Sequence, residues 1–224
     1  LGSRYSYATA RLNEAAQYLY ADYAALGLSV TYDAFVYGGE PMTNVVAELP
    51  GVGSDSDHIY ILCAHYDSIS KAPYHMAPGA DDNASGSAAV LEAARILSQY
   101  RFSHTLRFIH FSGEEQGLIG SAHYAAEAFQ RGDWIDGVIN LDMIGYESAP
   151  PNDHIVEVHA GTNPESVALA DAFINNISEY GLLLMPQEIT VGATNASDHA
   201  SFWDYGYPAI LGIEDFHDFN PYYH

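Results

Sequence analysis

Cysteine is almost absent from this chain of 224 residues, with Cys63 standing alone. An intrachain disulfide scaffold is therefore excluded, while the compartment stays open, because many exported enzymes lack disulfides. Basic residues are nearly as scarce. Seven Lys and Arg face 29 Asp and Glu, for a formal net charge of −22. A nucleic-acid groove needs cationic side chains to displace counterions, so no nucleic acid is expected as a partner. An anionic membrane surface is disfavoured for the same reason. No run of eighteen apolar residues occurs, so no membrane-spanning helix is expected. Repeats, low-complexity tracts and linkers are missing as well. No signal peptide stands at Leu1, and the chain stops at His224 without a tail. It reads as a mature or trimmed form of a longer precursor, with a secreted or periplasmic address expected. The oligomeric state is left open.

What is present points to a folded core. Apolar residues make up 48% and charged residues 16%. Periodicity predicts helices over 11–26, 84–100, 116–130, 164–180 and 197–205. Strands are expected at 29–37, 44–49, 58–64, 105–111, 137–141, 155–159 and 208–213. The alternation of strand and helix predicts an α/β fold, one domain over residues 1–224, with a mostly parallel central sheet and helices on both faces. The acidic excess reads mainly as a solvated surface that keeps the chain soluble. A metal site would use only a handful of these carboxylates.

Chemistry-bearing residues gather just past the predicted strand ends. The strand at 58–64 runs into His65-Tyr66-Asp67, that at 105–111 into Ser112-Gly113-Glu114-Glu115, and that at 137–141 into Asp142. In open α/β sheets this edge is where ligands bind. A fourth supply is the loop and helix start from Gly79 to Gly86, which carries Asp81 and Asp82. Neutral imidazole and carboxylate oxygens suit zinc. Asp67 is placed to orient a ligating His65 through its other ring nitrogen. In Glu114-Glu115 one carboxylate could hold metal while the other serves as general base. One aspartate of Asp81-Asp82 could bridge two metals. Each feature alone has a plainer explanation. His65 could be a satisfied core histidine, Glu114-Glu115 an acidic pair at a helix start, Asp81-Asp82-Asn83 a helix cap, and Asp142 a strand-end acid. The four in this order are hard to explain that way.

With these motifs in view the chain resembles the zinc aminopeptidase superfamily of bacterial leucyl-type aminopeptidases, glutamate carboxypeptidases and glutaminyl cyclases. The matching stretches are Ala64-His65-Tyr66-Asp67-Ser68, PGADDNASG from Pro78, SGEEQGLIGS from Ser112, NLDMIG from Asn140, Ser197-Asp198-His199 and DFNPYYH from Asp218. The resemblance implies two Zn2+ ions held by His65, Asp82, Glu115, Asp142 and a late histidine, with Asp82 bridging. It implies Asp67 as the residue that orients His65 and Glu114 as the general base. By motif position the late histidine is His224; His199 is the rival, read instead as shaping the substrate loop. In the family a Thr and an Asp, then a final helix, usually follow the late histidine, whereas here the chain stops at it.

The expected reaction is hydrolysis of the N-terminal residue from peptides or proteins. A carboxypeptidase would want Arg or Lys to grip a carboxylate, and basic residues are few. A glutaminyl cyclase would use one zinc, and a non-catalytic relative would be expected to lose a ligand or the base. Met143 and Ile213 are candidates for an apolar side-chain pocket, with ordinary core packing an equal alternative. Among the other histidines, His110 is expected to be buried in its strand and His217 to border the site.

Overall fold

Apolar, β-branched and aromatic residues dominate the strands that end up in the middle of the sheet. In the computed structural model, which describes residues 2–148 and 154–224, eight strands form one sheet in the order β1-β2-β4-β3-β5-β8-β6-β7. They are β1 (Ser29–Tyr37), β2 (Glu40–Leu49), β3 (His58–His65), β4 (Thr105–Phe111), β5 (Trp134–Leu141), β6 (Ile155–His159), β7 (Met185–Ile189) and β8 (Ala209–Glu214). The helices are α1 (Thr9–Ala25), α2 (Ala84–Leu97), α3 (Ile119–Arg131), α4 (Pro164–Glu179) and α5 (His199–Trp203). Every residue of β8, and every residue of β4 except Arg107, is buried. Such near-continuous buried runs mark strands covered on both faces.

Four of the seven strand pairings are parallel. The parallel block is β4-β3-β5-β8, so the C-terminal ends of these four strands lie side by side. That alignment is what positions the site.

Successive strand residues face opposite sides, and the core divides accordingly. Leu12, Leu19 and Tyr23 of α1 and Val90 and Ala94 of α2 pack with Val45, Ala47, Leu106 and Phe108. On the other face Tyr124, Ala125 and Ala128 of α3 and Phe202 of α5 meet Ile61, Cys63, Ile109, Phe111 and Val138. Ala170 of α4 joins Val158 and Ile210. His110 is buried in β4, as expected, with Nε2 2.6 Å from the Tyr23 hydroxyl and Nδ1 3.3 Å from Ser87 Oγ. Burial pulls its pKa down to about 3, so the ring is neutral where α1, β4 and α2 meet.

Some expected boundaries shift. The helix expected over 116–130 is split into a 3-10 turn at Glu114–Gln116 and α3 from Ile119. The one expected over 197–205 shrinks to the five residues of α5, and the one expected over 84–100 stops at Leu97. β2 starts at Glu40, leaving only Gly38 and Gly39, both at positive φ, as the hairpin turn. Strand β7 was not among the expected elements.

Candidate metal centre

Each strand of the parallel block hands one polar segment to the same edge. His65 is the last residue of β3, Glu114 and Glu115 follow β4, Asp142 follows β5, and the segment ending in His224 follows β8. Asp82 stands just before α2. His65 Nε2 lies 3.1 Å from Asp82 Oδ1, 3.3 Å from Asp142 Oδ1 and 3.9 Å from Glu114 Oε2. His224 Nε2 lies 3.1 Å from Asp82 Oδ2 and 2.9 Å from Glu115 Oε2. Asp82 thus turns one oxygen to each of two imidazoles. Asp67 completes the group, with Oδ1 3.4 Å from His65 Nδ1. All seven residues singled out from the sequence meet in one cluster.

Local structure explains why they meet. Gly113 has φ 77, the left-handed region open to glycine at little cost, and turns the chain from β4 into Glu114. The Asn83 carboxamide accepts from the Gly86 N–H at 2.9 Å, capping α2, and donates to the Leu141 carbonyl at 2.9 Å. One side chain therefore ties the segment bearing Asp82 to the strand end bearing Asp142. Asp67, fully buried, accepts from the Ser6 hydroxyl at 2.8 Å and from the N–H groups of Glu114 and Glu115 at 3.2 and 3.3 Å. Ser197 donates to Asp142 Oδ2 at 2.6 Å and accepts from Asn140 Nδ2 at 2.7 Å. The Ile69 N–H donates to Glu115 Oε1 at 3.0 Å. Asn220 Nδ2 donates to Asp81 Oδ2 at 2.8 Å, and Tyr223 stacks on His224 with centroids 3.7 Å apart, fixing the segment that carries His224.

The electrostatics are those of a site built for cations. Burial lifts Glu114 well above the usual carboxylate range; His65 opposes this and Asp142, Asp198 and Asp67 add to it. Burial, aided by Asp82, pushes Glu115 up to about 7. Burial works against charge on Asp82, yet hydrogen bonds with His224 and His65 hold its pKa below the usual value. Burial likewise disfavours charge on His65, but Asp142 and Glu114 override it and raise the imidazole well above its ordinary value. Hydrogen bonding to Asp82 raises His224. The buried atoms Nε2 of His65 and Oδ1 of Asp142 lack hydrogen-bond partners. Such orphaned polar atoms call for an explanation, and two imidazoles among five carboxylates fit divalent metal of the borderline class.

Two residues escaped sequence reasoning. Arg4 donates from Nε to the Tyr66 carbonyl at 2.7 Å, from Nη1 to Pro78 at 2.7 Å and from Nη2 to Gly79 at 2.8 Å. It straps the start of the chain to the loop before Asp82, and Ser6 does the same for Asp67. For Arg4 the only sequence signal was the rarity of basic residues, and Ser6 carried none. His199 stays apart from the cluster: its Nε2 lies 3.0 Å from the Thr194 carbonyl oxygen, its ring meets Trp203 edge-on, and burial lowers its pKa to about 4. His217, expected at the border, is instead 90% exposed and spends its ring on Asp215, its Nδ1 3.3 Å from Asp215 Oδ1. Met143, Leu211 and Ile213 form one small buried cluster. Met143 lines the cleft of about 250 Å3 beside Asp82 and His224, whereas Ile213 faces a larger cavity of about 500 Å3 that includes none of the seven clustered residues.

Known proteins resemble this chain in sequence and fold. Residues 44–224 match the family model described as Peptidase family M28. A probable zinc metalloprotease from Pyrenophora teres f. teres is 36% identical over 161 residues, covering 66% of this chain and 33% of that protein. Leucine aminopeptidase 1 from Trichophyton equinum is 35% identical over 181 residues, covering 76% of this chain and 47% of its own. The crystal structure of the LapA aminopeptidase from Legionella pneumophila superposes with a TM-score of 0.75 at 25% identity, over 93% of this chain and 56% of that one. The chain thus spans a third to about half the length of these curated relatives.

Proposed function

The chain belongs to peptidase family M28, and on that footing we propose that residues 1–224 are the catalytic domain of a two-zinc aminopeptidase. Asp82 carries the reading, because its two oxygens lie 3.1 Å from His65 Nε2 and 3.1 Å from His224 Nε2. His65, Asp82 and Asp142 would hold one ion, and Asp82, Glu115 and His224 the other. When bound, the ions supply Lewis acidity for polarising the scissile carbonyl and making water acidic.

The chain's own residues do the remaining work. Glu114 has its carboxylate at the cluster, 3.9 Å from His65 Nε2, and a raised proton affinity that suits a base. It takes a proton from the attacking water and returns it to the leaving amine, so it ends the cycle as it began. Asp67 holds His65 in orientation and, through the N–H groups of Glu114 and Glu115, fixes both glutamates. No Lys or Arg lines the cleft among the described residues, and the three carbonyls held by Arg4 occupy its guanidinium. The cleft therefore favours a free α-amino group over a free carboxylate.

A peptide with a free N-terminus and an amidated C-terminus should be shortened one residue at a time from the front, and its N-acetylated counterpart with a free C-terminus should resist. Release of C-terminal residues from the acetylated peptide would make the enzyme a carboxypeptidase. Inertness to both with zinc bound would point to a cyclase or a non-catalytic relative. Among the described residues no helix is long and apolar enough to cross a membrane. A secreted or periplasmic address belongs to the same proposal, and cell fractionation followed by peptidase assay tests it.

A further inference from the structure

At the opposite end of the sheet the parallel strands begin, and a second group of metal-binding side chains sits there. His58 opens β3, His104 immediately precedes β4, and Asp136 is the third residue of β5. Because β4, β3 and β5 are neighbours in the sheet, these three residues converge although 32 to 78 positions separate them. His58 Nδ1 is 2.8 Å from Asp136 Oδ2, and His104 Nε2 is 3.9 Å from the same oxygen. One ligand atom from each of the three lies within 4.8 Å of the others.

The rings are held in place. Trp134 packs on His58 with centroids 4.0 Å apart, and Tyr60 meets His104 edge-on at 5.5 Å. Ser103 Oγ lies 2.9 Å from His104 Nδ1, which orients the ring with Nε2 towards Asp136. That outer hydrogen bond is the usual companion of a ligating imidazole. The side chains are 24%, 34% and 22% exposed, open to an ion yet partly withdrawn from water. Among the described residues Asp136 has no Lys or Arg partner. Tetrahedral zinc with bonds of about 2.0–2.1 Å separates its ligand atoms by roughly 3.3 Å, which falls between the two distances to Asp136. The other outlying group, Glu157, Asp215 and His217, is weaker: His217 is 90% exposed, and Glu157 is already engaged by His159 and the Phe216 N–H.

We propose that His58, His104 and Asp136 form a separate site for a divalent transition metal, zinc foremost, with solvent completing the coordination. Bound there, the ion ties together the starts of three adjacent strands. It is independent of the Asp82 cluster, which lies at the other edge of the sheet.

Equilibrium dialysis against Zn2+ with elemental analysis tests this. The His58→Ala/His104→Ala chain should bind one zinc fewer than the wild type, while His123→Ala, whose ring stacks on Phe35 elsewhere, should bind the same number. The comparison reads a difference between chains, so it does not depend on how many ions the Asp82 cluster takes. Equal zinc content in wild type and double variant would overturn the proposal. The wild type itself supplies a second measurement that needs no stable double variant. Cu2+, which imidazole sites bind more tightly than Zn2+, should saturably quench the Trp134 share of the tryptophan fluorescence once it is added beyond what the Asp82 cluster takes up. His104→Gln, which leaves the Trp134–His58 stack in place, should weaken that quenching about ten-fold or more in apparent affinity. Absence of saturable quenching in the wild type, or quenching untouched by His104→Gln, would equally overturn it.

Discussion

Glu114 and Glu115 are adjacent and chemically identical, yet the 3-10 turn sends them to different partners. Glu115 is pinned by the Ile69 N–H and reaches His224, whereas Glu114 reaches towards His65 and Asp142 with no such anchor. Substituting Glu114→Gln keeps the shape and removes the proton acceptor. Turnover should fall by about two orders of magnitude or more, the scale of lost general base catalysis, with zinc content near that of the wild type. Elemental analysis beside steady-state kinetics checks this, and a variant retaining most of its activity would remove Glu114 from the role. The histidines allow a parallel contrast. His224→Ala should weaken zinc binding about ten-fold or more, because His224 touches both Asp82 and Glu115. His199→Ala should leave zinc binding near the wild-type level, because His199 is spent on Thr194 and Trp203. Competition with a zinc chelator measures both, and the opposite ranking would hand the ligand role to His199.

At the level of elements, the site depends on segments that are not themselves regular. The parallel strands bring His65, Glu114, Glu115 and Asp142 to one edge, but Asp82 and Asp67 depend on the loops between. Arg4 anchors that loop through three carbonyls, each a bond from a charged donor. Hydrogen bonds to charged groups contribute about 1.5–3 kcal/mol each in buried settings. Discounted for the partial exposure of this site, Arg4→Ala should cost about 2–4 kcal/mol in total. For a chain of this size that corresponds to a melting temperature roughly 5–15 °C lower. Arg4→Lys should recover little, because an ammonium cannot spread over three acceptors as the planar fork does. Calorimetry of the zinc-loaded protein reads this directly, and unchanged melting in Arg4→Ala would show that the strap is passive. Element β7 shows where periodicity fails. Its sequence MPQEI carries a proline and little apolar character, and it forms an exposed edge strand by pairing with β6. Similarly, the helix expected to start at 116 waits until Ile119, because Gly113 and Gly117 at positive φ spend those residues on the turn that sets Glu114 and Glu115.

For the whole molecule, acid stability should carry the mark of His110. Its folded pKa, about 3, lies below its ordinary value of 6.5, so the unfolded chain binds the extra proton. The stabilisation from the neutral buried ring is complete above about pH 6.5 and is lost as pH falls towards 3. Across that window the wild type should lose about 1.4 kcal/mol per pH unit relative to His110→Gln, which cannot titrate. Urea unfolding of both chains between pH 6 and 4 measures the difference, and parallel pH profiles would mean that the ring is not held neutral. The same molecule carries a net charge of −22, and the Asp82 cluster uses only a small part of its 29 acids. Composition favoured a solvated surface as the source of the acidic excess but did not fix which acids face solvent. The α/β class, the strand-end placement of His65, Glu114, Glu115 and Asp142, and the motif order were legible in the sequence, because each depends on local propensity or on neighbours along the chain. Only the tertiary structure decided which strands lie side by side. With that came the distance at which His224, already favoured by motif position, approaches Asp82, the reach of Arg4 across more than sixty positions to Tyr66, Pro78 and Gly79, and the convergence of His58, His104 and Asp136. These contacts join residues far apart in the chain, and their distances are set by sheet order and loop path, which no local pattern encodes.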